Sequence, residues 1–452
     1  MGPLRPPLPE ASVAQWKGFH ALSIIQHKTA AEAPKIAAFG EWDTGNLGDQ
    51  AIFEGVKDFF QSAGWLVNAY GLGSLAPIRQ HLQAARPPSA PAEQWSTART
   101  TIHAWRTSAY AFLKPWLRPA RQHLRIWRLL SEIAQARAVL VGGGALLSDE
   151  HLHFPQSLAA VGWAARKLYL PVFCLGCSAE GPWSARGERM IAQFIRSCSV
   201  IATRDAATAS RVAMIWGQPV PIFGDFAMPL RGGLTSHMSR PQVSRLAVNV
   251  MHLPHRWRAD QQHYEDVLVH TIATWMHRHN FVNAAHVQIF TTGVGEDVVP
   301  ARRVLARLSL PEASLYLPSA LAELRGFLQE QTTVMASRLH AAILALVEGI
   351  PVIGLAVSPK IHEFLQTLGL QHYSVPVRDG RVTWRLLDLI ESSNVEPQPV
   401  LLETAEISNS RAAIRSLLRQ GRFGNGERDT KDEFVSVSQA FSPLSRTIDR
   451  WP

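Results

Sequence analysis

The chain has 452 residues, of which 46% are hydrophobic, and this length accommodates about two domains with buried cores. Its formal net charge of +9 comes mainly from arginine, whose guanidinium group suits phosphate and carboxylate ligands. The sequence contains no zinc finger, aromatic-basic nucleic-acid module, membrane-spanning apolar run or secretory signal, so we expect a cytoplasmic enzyme with anionic ligands and no nucleic-acid partner.

Apolar runs alternate with helical intervals along most of the chain, which predicts an α/β fold with two Rossmann-like domains facing a cleft. We expect a flexible tail over 1–34, an N-terminal domain over 35–235, a C-terminal domain over 245–375 and a partly disordered extension over 376–452. The predicted strands are 35–39, 65–69, 138–141, 172–175, 200–203, 220–223, 246–251, 287–291, 314–317, 332–335 and 352–355.

A segment rich in tryptophan and arginine, 86–132, interrupts the first domain. One interpretation is a helical surface that rests on an anionic membrane, with tryptophan at the level of the headgroups. The other is an amphipathic hairpin that packs its tryptophans on the domain. Pro115 and Pro119 break any long helix, which favours the hairpin.

The loop after the first predicted strand carries Gly45, Asn46, Gly48 and Asp49. Glycine permits a close approach of backbone to ligand, and open α/β sheets bind ligands at the carboxyl ends of their strands. The alternative is a tight turn in which Asp49 only caps the next helix. That helix is predicted from an apolar stripe formed by Ile52, Phe53, Val56, Phe59 and Phe60.

Later strands of the first domain also end in glycine or charge. Gly143 and Gly144 follow the third strand, Arg204 the fifth and Asp225 the sixth. Because parallel strands present their carboxyl ends at one edge, this series predicts a cleft lined by these residues.

Two cysteines, Cys174 and Cys177, have the C-x-x-C spacing. No second pair of ligands follows, so we predict that they pack in the core and that the protein has no metal site.

The second domain carries an anion-binding pattern at Ser337, Arg338 and His340, just after a predicted strand. Ser337 is predicted to be the N-cap of an apolar helix, which places the arginine and the histidine in its first turn. A helix N-terminus attracts anions, so we expect a phosphate or carboxylate ligand there. Lys360 is a further candidate contact.

Seven short motifs follow one another in a fixed order. They are G-N-L-G-D (45–49), V-G-G-G-A-L-L (141–147), L-G-C-S-A-E-G-P (175–182), T-R-D (203–205), G-D-F-A (224–227), S-R-L-H-A (337–341) and G-I-P-V (349–352). Together with Lys360 they resemble the polysaccharide pyruvyl transferase family over 35–370. The sequence departs from the family at Cys177 and at Ala179–Glu180, and neither the tryptophan-rich segment nor the last ~75 residues has a counterpart.

The resemblance implies a GT-B-like fold and the transfer of the enolpyruvyl carbons of phosphoenolpyruvate onto a sugar, with a ketal formed and phosphate released. It assigns Arg338 and His340 to phosphoenolpyruvate, and Arg204 matches a further arginine from the first domain. The donor is a substrate, and no cofactor is implied. Family acceptors are often sugars on lipid diphosphate carriers, so we expect exopolysaccharide or surface-glycan assembly in the cytoplasm, including the inner face of the membrane.

A basic cluster of His252, His255 and Arg256 follows the first strand of the second domain. It either binds an acceptor diphosphate or lies at the surface by chance, since the chain has 18 histidines. Glu296 and Asp297 follow two glycines, and helix capping is their predicted role.

The predicted site combines both domains. The catalytic candidates are His340, Arg338 and Asp49, and the substrate-binding candidates are Arg204, Lys360, Gly45, Asn46, Gly48, Gly143, Gly144, Ser337, Asp225 and His252. The sequence does not decide which of Asp49, Asp225 and Glu180 acts as acid or base.

Two other functions compete with pyruvyl transfer. A GT-B glycosyltransferase or sugar-nucleotide epimerase would need a carboxylate after the anion site to hold a ribose, and Glu348 falls too late in the helix for this role. A non-catalytic carbohydrate-binding relative would not need Arg338, His340 and the glycine loops.

Overall fold

The computed structural model describes residues 33–42, 44–77, 127, 129–150, 153–228, 245–280, 286–393 and 404–420, without the side chain of Arg256. These residues form two α/β domains, each built on a six-stranded sheet. The tryptophan-rich segment lies outside the described residues except for 127 and 129–132, and so does the predicted tail except for 33–34. Within the described ranges, no helix has both the length and the apolar character needed to cross a membrane.

The first domain surrounds a nearly all-parallel sheet. Its strands are β1 (Lys35–Gly40), β2 (Leu66–Gly71), β3 (Ala76–Pro77), β4 (Ala138–Gly142), β5 (Val172–Cys177) and β6 (Val200–Thr203). They lie in the order β3-β2-β1-β4-β5-β6, and the edge pair β2–β3 is antiparallel. Its helices are α1 (Leu47–Ser62), α2 (His153–Lys167), α3 (Ala185–Ile195) and α4 (Ala206–Trp216).

The predicted strand 220–223 is wrong. Of this segment only Ile222 pairs with the sheet, through an isolated bridge to Thr203. Pro219 and Pro221 flank Val220 and lack the amide donors that a further ladder needs.

The second domain surrounds a fully parallel sheet. Its strands are β7 (Leu246–Asn249), β8 (Val287–Phe290), β9 (Leu315–Tyr316), β10 (Thr333–Ala336), β11 (Val352–Ala356) and β12 (Ser374–Pro376). They lie in the order β12-β11-β10-β7-β8-β9. Its helices are α5 (Gln261–Arg278), α6 (Val298–Arg307), α7 (Leu321–Gln329), α8 (Leu339–Val347), α9 (Pro359–Thr367) and α10 (Val382–Ser393).

Both sheets have the doubly wound strand order, in which the direction of winding reverses at one point. This point lies between β1 and β4 in the first sheet and between β7 and β10 in the second. Loops diverge there beyond the carboxyl ends of the strands and leave a crevice that binds ligands. The loops after β1, β7 and β10 are therefore in the right place to form a site.

The first turn of α1 joins the two domains. The Leu47 amide donates to the carbonyl of Thr292 at 2.8 Å, and the side chains of Leu47 and Ala51 lie in the core of the second domain. Helix α1 also contacts α7 and α8. Because α1 directly follows the glycine loop of the first domain, this interface brings that loop to the start of α8.

The chain after β12 contributes one helix to each domain. Helix α10 packs on α5 in the second domain, whereas α11 (Ala405–Gln420) returns to the first. Ile414 and Leu418 pack with Phe59, and Trp65 Nε1 donates to the carbonyl of Leu418 at 2.9 Å. The C-terminal helix is thus part of the core of the first domain.

Candidate active site

Arg338 lies immediately before α8, at the reversal point of the second sheet. Its guanidinium makes a bidentate contact with Asp297, in which Nε donates to Oδ2 at 2.5 Å and Nη2 donates to Oδ1 at 2.6 Å. Its backbone amide donates to the side-chain oxygen of Asn249 at 2.9 Å. The Arg338 side chain is 23% exposed and Asp297 is fully buried. A buried carboxylate therefore fixes a guanidinium that stays partly accessible.

Two predicted capping roles in this region are wrong. Arg338 rather than Ser337 occupies the N-cap position of α8 and makes no side-chain capping bond, while the Ser337 hydroxyl accepts a hydrogen bond from Tyr264 Oη at 2.8 Å. Asp297 makes no side-chain capping bond to α6, since its carboxylate is used by Arg338 and by the amide of His252. Both side chains therefore form hydrogen bonds that hold the site together instead of capping a helix.

His340 extends from the first turn of α8 to the first domain. Its imidazole packs on Gly48 so closely that a Cβ added at Gly48 would overlap the ring. On its other side, Nε2 lies 3.8 Å from Oδ2 of Asp225. The glycine loop thus makes room for a histidine that the other domain supplies.

Asp49 lies in the first turn of α1 beside this histidine. It does not cap the helix as predicted: α1 begins at Leu47, and the Asn46 side chain accepts the Gly48 amide at 3.0 Å. Asp49 Oδ2 instead accepts a hydrogen bond from Thr44 Oγ1 at 2.6 Å. Gly45 lies at the domain boundary, where its carbonyl packs against Gly293.

The pKa of Asp49 is raised above its ordinary value. Burial raises it, and this effect exceeds the lowering by the charge of His340 and by the hydrogen bond from Thr44. A carboxyl group shifted in this direction holds its proton more strongly than an exposed one. Burial therefore favours the protonated form of Asp49 relative to an exposed carboxyl group.

Arg204 and Asp225 face His340 from the first domain. Arg204 is 8% exposed and Asp225 is fully buried, and Arg204 Nη1 lies 3.6 Å from Asp225 Oδ2. Arg204 Nη2 also donates to Ser178 Oγ at 2.5 Å. One buried carboxylate therefore lies between two groups that carry or accept positive charge, one from each domain.

The pKa of Asp225 is shifted in the opposite direction from that of Asp49. Burial by itself raises it, but His340, Arg204 and the amide of Ala227 together outweigh burial and hold the pKa at about 2. Asp225 is therefore ionised at neutral pH.

We expect the Asp225→Asn substitution to destabilise the protein at neutral pH. Because the folded pKa of about 2 lies below the ordinary value of 3.8, ionised Asp225 contributes stability that is fully present above about pH 4 and is lost as the pH falls through 2. The contribution is about 2 kcal/mol at pH 7 and roughly half of that at pH 3. Urea unfolding of both proteins at several pH values measures it. A difference in unfolding free energy that stays constant from pH 7 to 3 would contradict this assignment.

Helix α9 makes a second connection between the domains. Lys360 forms an ion pair with Glu180, which lies in the loop after β5. Glu363, one turn further along α9, has a raised pKa because of burial and the nearby charge of Asp205, while Arg204 lowers it. Sequence reasoning missed Glu363, although its helical spacing from Lys360 places both on one face.

The two predicted ligand glycines after β4 have positive φ angles, +72° at Gly143 and +73° at Gly144. A Cβ at Gly143 would overlap the side chain of Ile52 on α1. The Gly144 carbonyl accepts the Ser178 amide at 2.9 Å. These glycines therefore allow the chain to turn and α1 to pack above the sheet, and they set the position of the loop that carries Ser178.

The cysteines are core residues. Cys174, Cys177 and Cys198 are all buried and free, as packing predicts for the first two. In the part of the chain that the structure describes, no cluster of His, Cys, Asp and Glu side chains has the arrangement of a metal site.

His252 lies beside the Arg338–Asp297 pair. Its amide donates to Asp297 Oδ1 at 2.8 Å, and its Nδ1 lies 3.3 Å from Glu296 Oε2. His255 is exposed at the start of a 3-10 helix. The structure thus connects only His252 to the arginine site by a described contact.

Asn249 is a second residue that sequence reasoning missed. It is fully buried at the end of β7, and its side chain bridges the Arg338 amide and the carbonyl of Phe290, the latter at 3.3 Å. The available signal was a polar residue at the end of an otherwise apolar strand. Such a residue needs a buried partner.

Comparison with solved structures shows likeness to two-domain carbohydrate enzymes. A putative UDP-N-acetylglucosamine 2-epimerase from Listeria monocytogenes is 11% identical, with 86% of this chain and 98% of that chain covered and a TM-score of 0.52. UDP-GlcNAc 2-epimerase from Neisseria meningitidis bound to UDP-GlcNAc is 10% identical, with 86% and 100% covered and a TM-score of 0.47. Spinosyn rhamnosyltransferase SpnG with thymidine diphosphate is 15% identical, with 86% and 96% covered and a TM-score of 0.41. At these identities the likeness concerns the fold, which is GT-B-like.

Comparisons of sequence are more specific. A search of curated protein sequences gives no significant match. The family model for polysaccharide pyruvyl transferase matches residues 46–359, a range that begins in the glycine loop and ends in the first turn of α9. Because this match covers well over half of the chain and contains Asp49, Arg204, Asp225, Arg338 and His340, the protein belongs to the polysaccharide pyruvyl transferase family.

Proposed function

We propose that the protein transfers the enolpyruvyl group of phosphoenolpyruvate to a sugar of an exopolysaccharide or surface-glycan precursor, forming a pyruvate ketal. The observation that carries this proposal is that Arg204 and His340, from different domains, both lie beside the Asp225 carboxylate, with Arg338 two residues before His340 at the start of α8. Phosphoenolpyruvate carries about two negative charges on its phosphate and one on its carboxylate, and an arginine from each domain suits a molecule with two anionic groups. The family supports a transferase acting on polysaccharide.

The two carboxyl groups in the cleft support a division of roles. Asp49, whose pKa is raised, is our candidate for the acid that protonates the methylene carbon of the donor. A sugar hydroxyl then adds to the neighbouring carbon and gives its proton to the Asp49 carboxylate that the first step leaves. The C–O bond to phosphate breaks and leaves an oxocarbenium centre, to which a second hydroxyl adds to close the ketal, and the departing phosphate takes the proton of that hydroxyl. Ionised Asp225 lies next to His340. We assign His340 to the stabilisation of the leaving phosphate.

A nucleotide-sugar reaction is less consistent with the second domain. A ribose-binding carboxylate would have to be accessible beyond the anion site. Glu348, at the end of α8, is instead buried and accepts hydrogen bonds from Arg325 Nε at 2.5 Å and Gln329 Nε2 at 2.7 Å. It is therefore occupied within its own domain.

The direct test incubates the purified protein with phosphoenolpyruvate and a panel of p-nitrophenyl hexosides that offer two neighbouring hydroxyls. We expect phosphate release that depends on the acceptor, together with a product whose mass matches a pyruvate ketal. Transfer from a UDP-sugar with no product from phosphoenolpyruvate would refute it.

The Gly48→Ala substitution is expected to reduce this activity by about 100-fold, because the added methyl group displaces the His340 ring and a shift of about 1 Å can cost that much. The matched control is Gly326→Ala on α7, where a Cβ meets no atom within 4 Å. Initial rates of both variants, with circular dichroism to verify folding, provide the measurement. Equal rates for both would show that the close approach to His340 has no role in the reaction.

A further inference from the structure

We propose that Arg411, on helix α11, is a positioning residue. It holds the backbone around Asp225 so that the Asp225 carboxylate stays next to His340. The role concerns the Asp225 loop, which we define as residues 223–228. Arg411 lies beyond the matched range 46–359, in the part of the chain without a counterpart in the family resemblance. The inference rests on the proposed function for its catalytic meaning, but the geometry on which it is built is independent of any substrate.

The guanidinium of Arg411 binds the backbone of this loop at three points. It is fully buried, and its Nε, Nη1 and Nη2 donate to the carbonyls of Phe223, Met228 and Asp225 at 3.0, 3.3 and 2.5 Å. Arginine presents its donors in a rigid plane, so three contacts fix both the position and the orientation of the loop.

The loop in turn fixes the direction of the carboxylate. The Ala227 amide donates to Asp225 Oδ1 at 2.9 Å, which leaves Oδ2 next to His340 and Arg204. Gly224 has φ +78°, and a Cβ there would lie 3.2 Å from Ile407 on α11. The loop is thus shaped to receive α11, and a displacement of the loop changes the position of Oδ2 relative to His340.

Contacts other than those of Arg411 also attach α11 to the first domain. Ile407, Ile414 and Leu418 are buried, and Trp65 bonds to the carbonyl of Leu418. Burying a guanidinium is costly unless its donors are satisfied, and a hydrophobic side chain of similar size would pack at lower cost. A buried arginine that donates three hydrogen bonds to the backbone of the Asp225 loop is therefore best explained by what the loop must hold.

The test follows the His340 imidazole in ligand-free enzyme labelled with [13Cε1]-histidine, with the resonance assigned by the His340→Gln variant. Four proteins are compared with wild type: Asp225→Asn, Arg411→Met, Arg411→Lys and the control Arg419→Met. Arg419 is on the same helix and also donates to a backbone carbonyl, that of Ser62 at 3.0 Å, which lies outside the loop. If Arg411→Met fails to fold, Arg411→Lys serves in its place. Lysine keeps the positive charge but lacks the planar guanidinium with its several donors.

We expect the His340 resonance of the Arg411 variants to move toward its position in Asp225→Asn, and we expect Arg419→Met to leave it in place. The double variant Arg411→Met, Asp225→Asn should coincide with Asp225→Asn. An unmoved His340 resonance in folded Arg411 variants overturns the proposal, because a purely structural role would lower stability alone.

Phosphoenolpyruvate affinity gives the second readout. We expect Arg411→Met to weaken binding about tenfold in wild type and less than twofold in Asp225→Asn, because residues that act through one another are not additive. Equal factors in both backgrounds would overturn the positioning role. If wild type binds no phosphoenolpyruvate, the proposed function fails, while the His340 resonance still decides whether Arg411 positions Asp225.

Discussion

Replacing His340 by glutamine is expected to lower the rate of pyruvyl transfer by 10²–10⁴, the usual range for loss of a general acid–base group. Glutamine keeps the size and polarity of the side chain but cannot carry or transfer a proton. The ring lies between Gly48 and the Asp225 carboxylate, so the substitution also removes the group that faces that carboxylate. Steady-state kinetics with phosphoenolpyruvate near saturation measures the effect.

His270→Gln is a suitable control, because His270 is an exposed histidine on α5. It should retain full activity, and His340→Gln should unfold at the same urea concentration as the control within about 1 M. If His340→Gln keeps its rate to within a few-fold, the imidazole takes no part in proton transfer and only fills the space beside Gly48.

Arg338→Ala is expected to weaken phosphoenolpyruvate binding by roughly 100-fold, since a charge-assisted contact between an arginine and an anionic ligand is worth about 3 kcal/mol. The rate of transfer should fall as well. The substitution also leaves Asp297 buried without its main partner. Asp297→Asn tests the support separately, because it keeps Arg338 and removes the charge that fixes it. We expect that variant to lose less affinity than Arg338→Ala.

The control for this series is Arg302→Ala. Arg302 also contacts a carboxylate, that of Glu312, through Nε and Nη2, but both side chains are exposed and lie outside the cleft. Its affinity for phosphoenolpyruvate should equal that of wild type. If Arg338→Ala binds phosphoenolpyruvate as tightly as wild type, the anion site does not lie at the start of α8.

Much of the fold is predictable from the sequence because parallel α/β proteins alternate short apolar runs with amphipathic helices. The strand 200–203 agrees with β6 to the residue, and most others differ by one or two. The error at 220–223 came from prolines within an apolar run. The capping errors at Asp49 and Ser337 have a tertiary cause: Leu47 bonds to Thr292 and Ser337 to Tyr264, partners far away in the chain.

The candidate site likewise contains residues that the sequence identifies and residues that it does not. Arg338 and His340 could be named because a short motif places both at a helix start. Asp297, 41 residues from Arg338, and Arg411, 186 residues from Asp225, could not, since their roles exist only as contacts between distant segments. The opposite pKa shifts of Asp49 and Asp225 likewise depend on burial and on charges brought by the other domain.

Calorimetric titration of the purified protein with phosphoenolpyruvate, beside uridine diphosphate and the Arg338→Ala variant, decides whether the cleft binds the proposed donor and requires no knowledge of the acceptor. We predict saturable binding of phosphoenolpyruvate to wild type, roughly 100-fold weaker binding to Arg338→Ala and no binding of the nucleotide. Saturable binding of uridine diphosphate without binding of phosphoenolpyruvate would contradict pyruvyl transfer and identify the cleft as a nucleotide site.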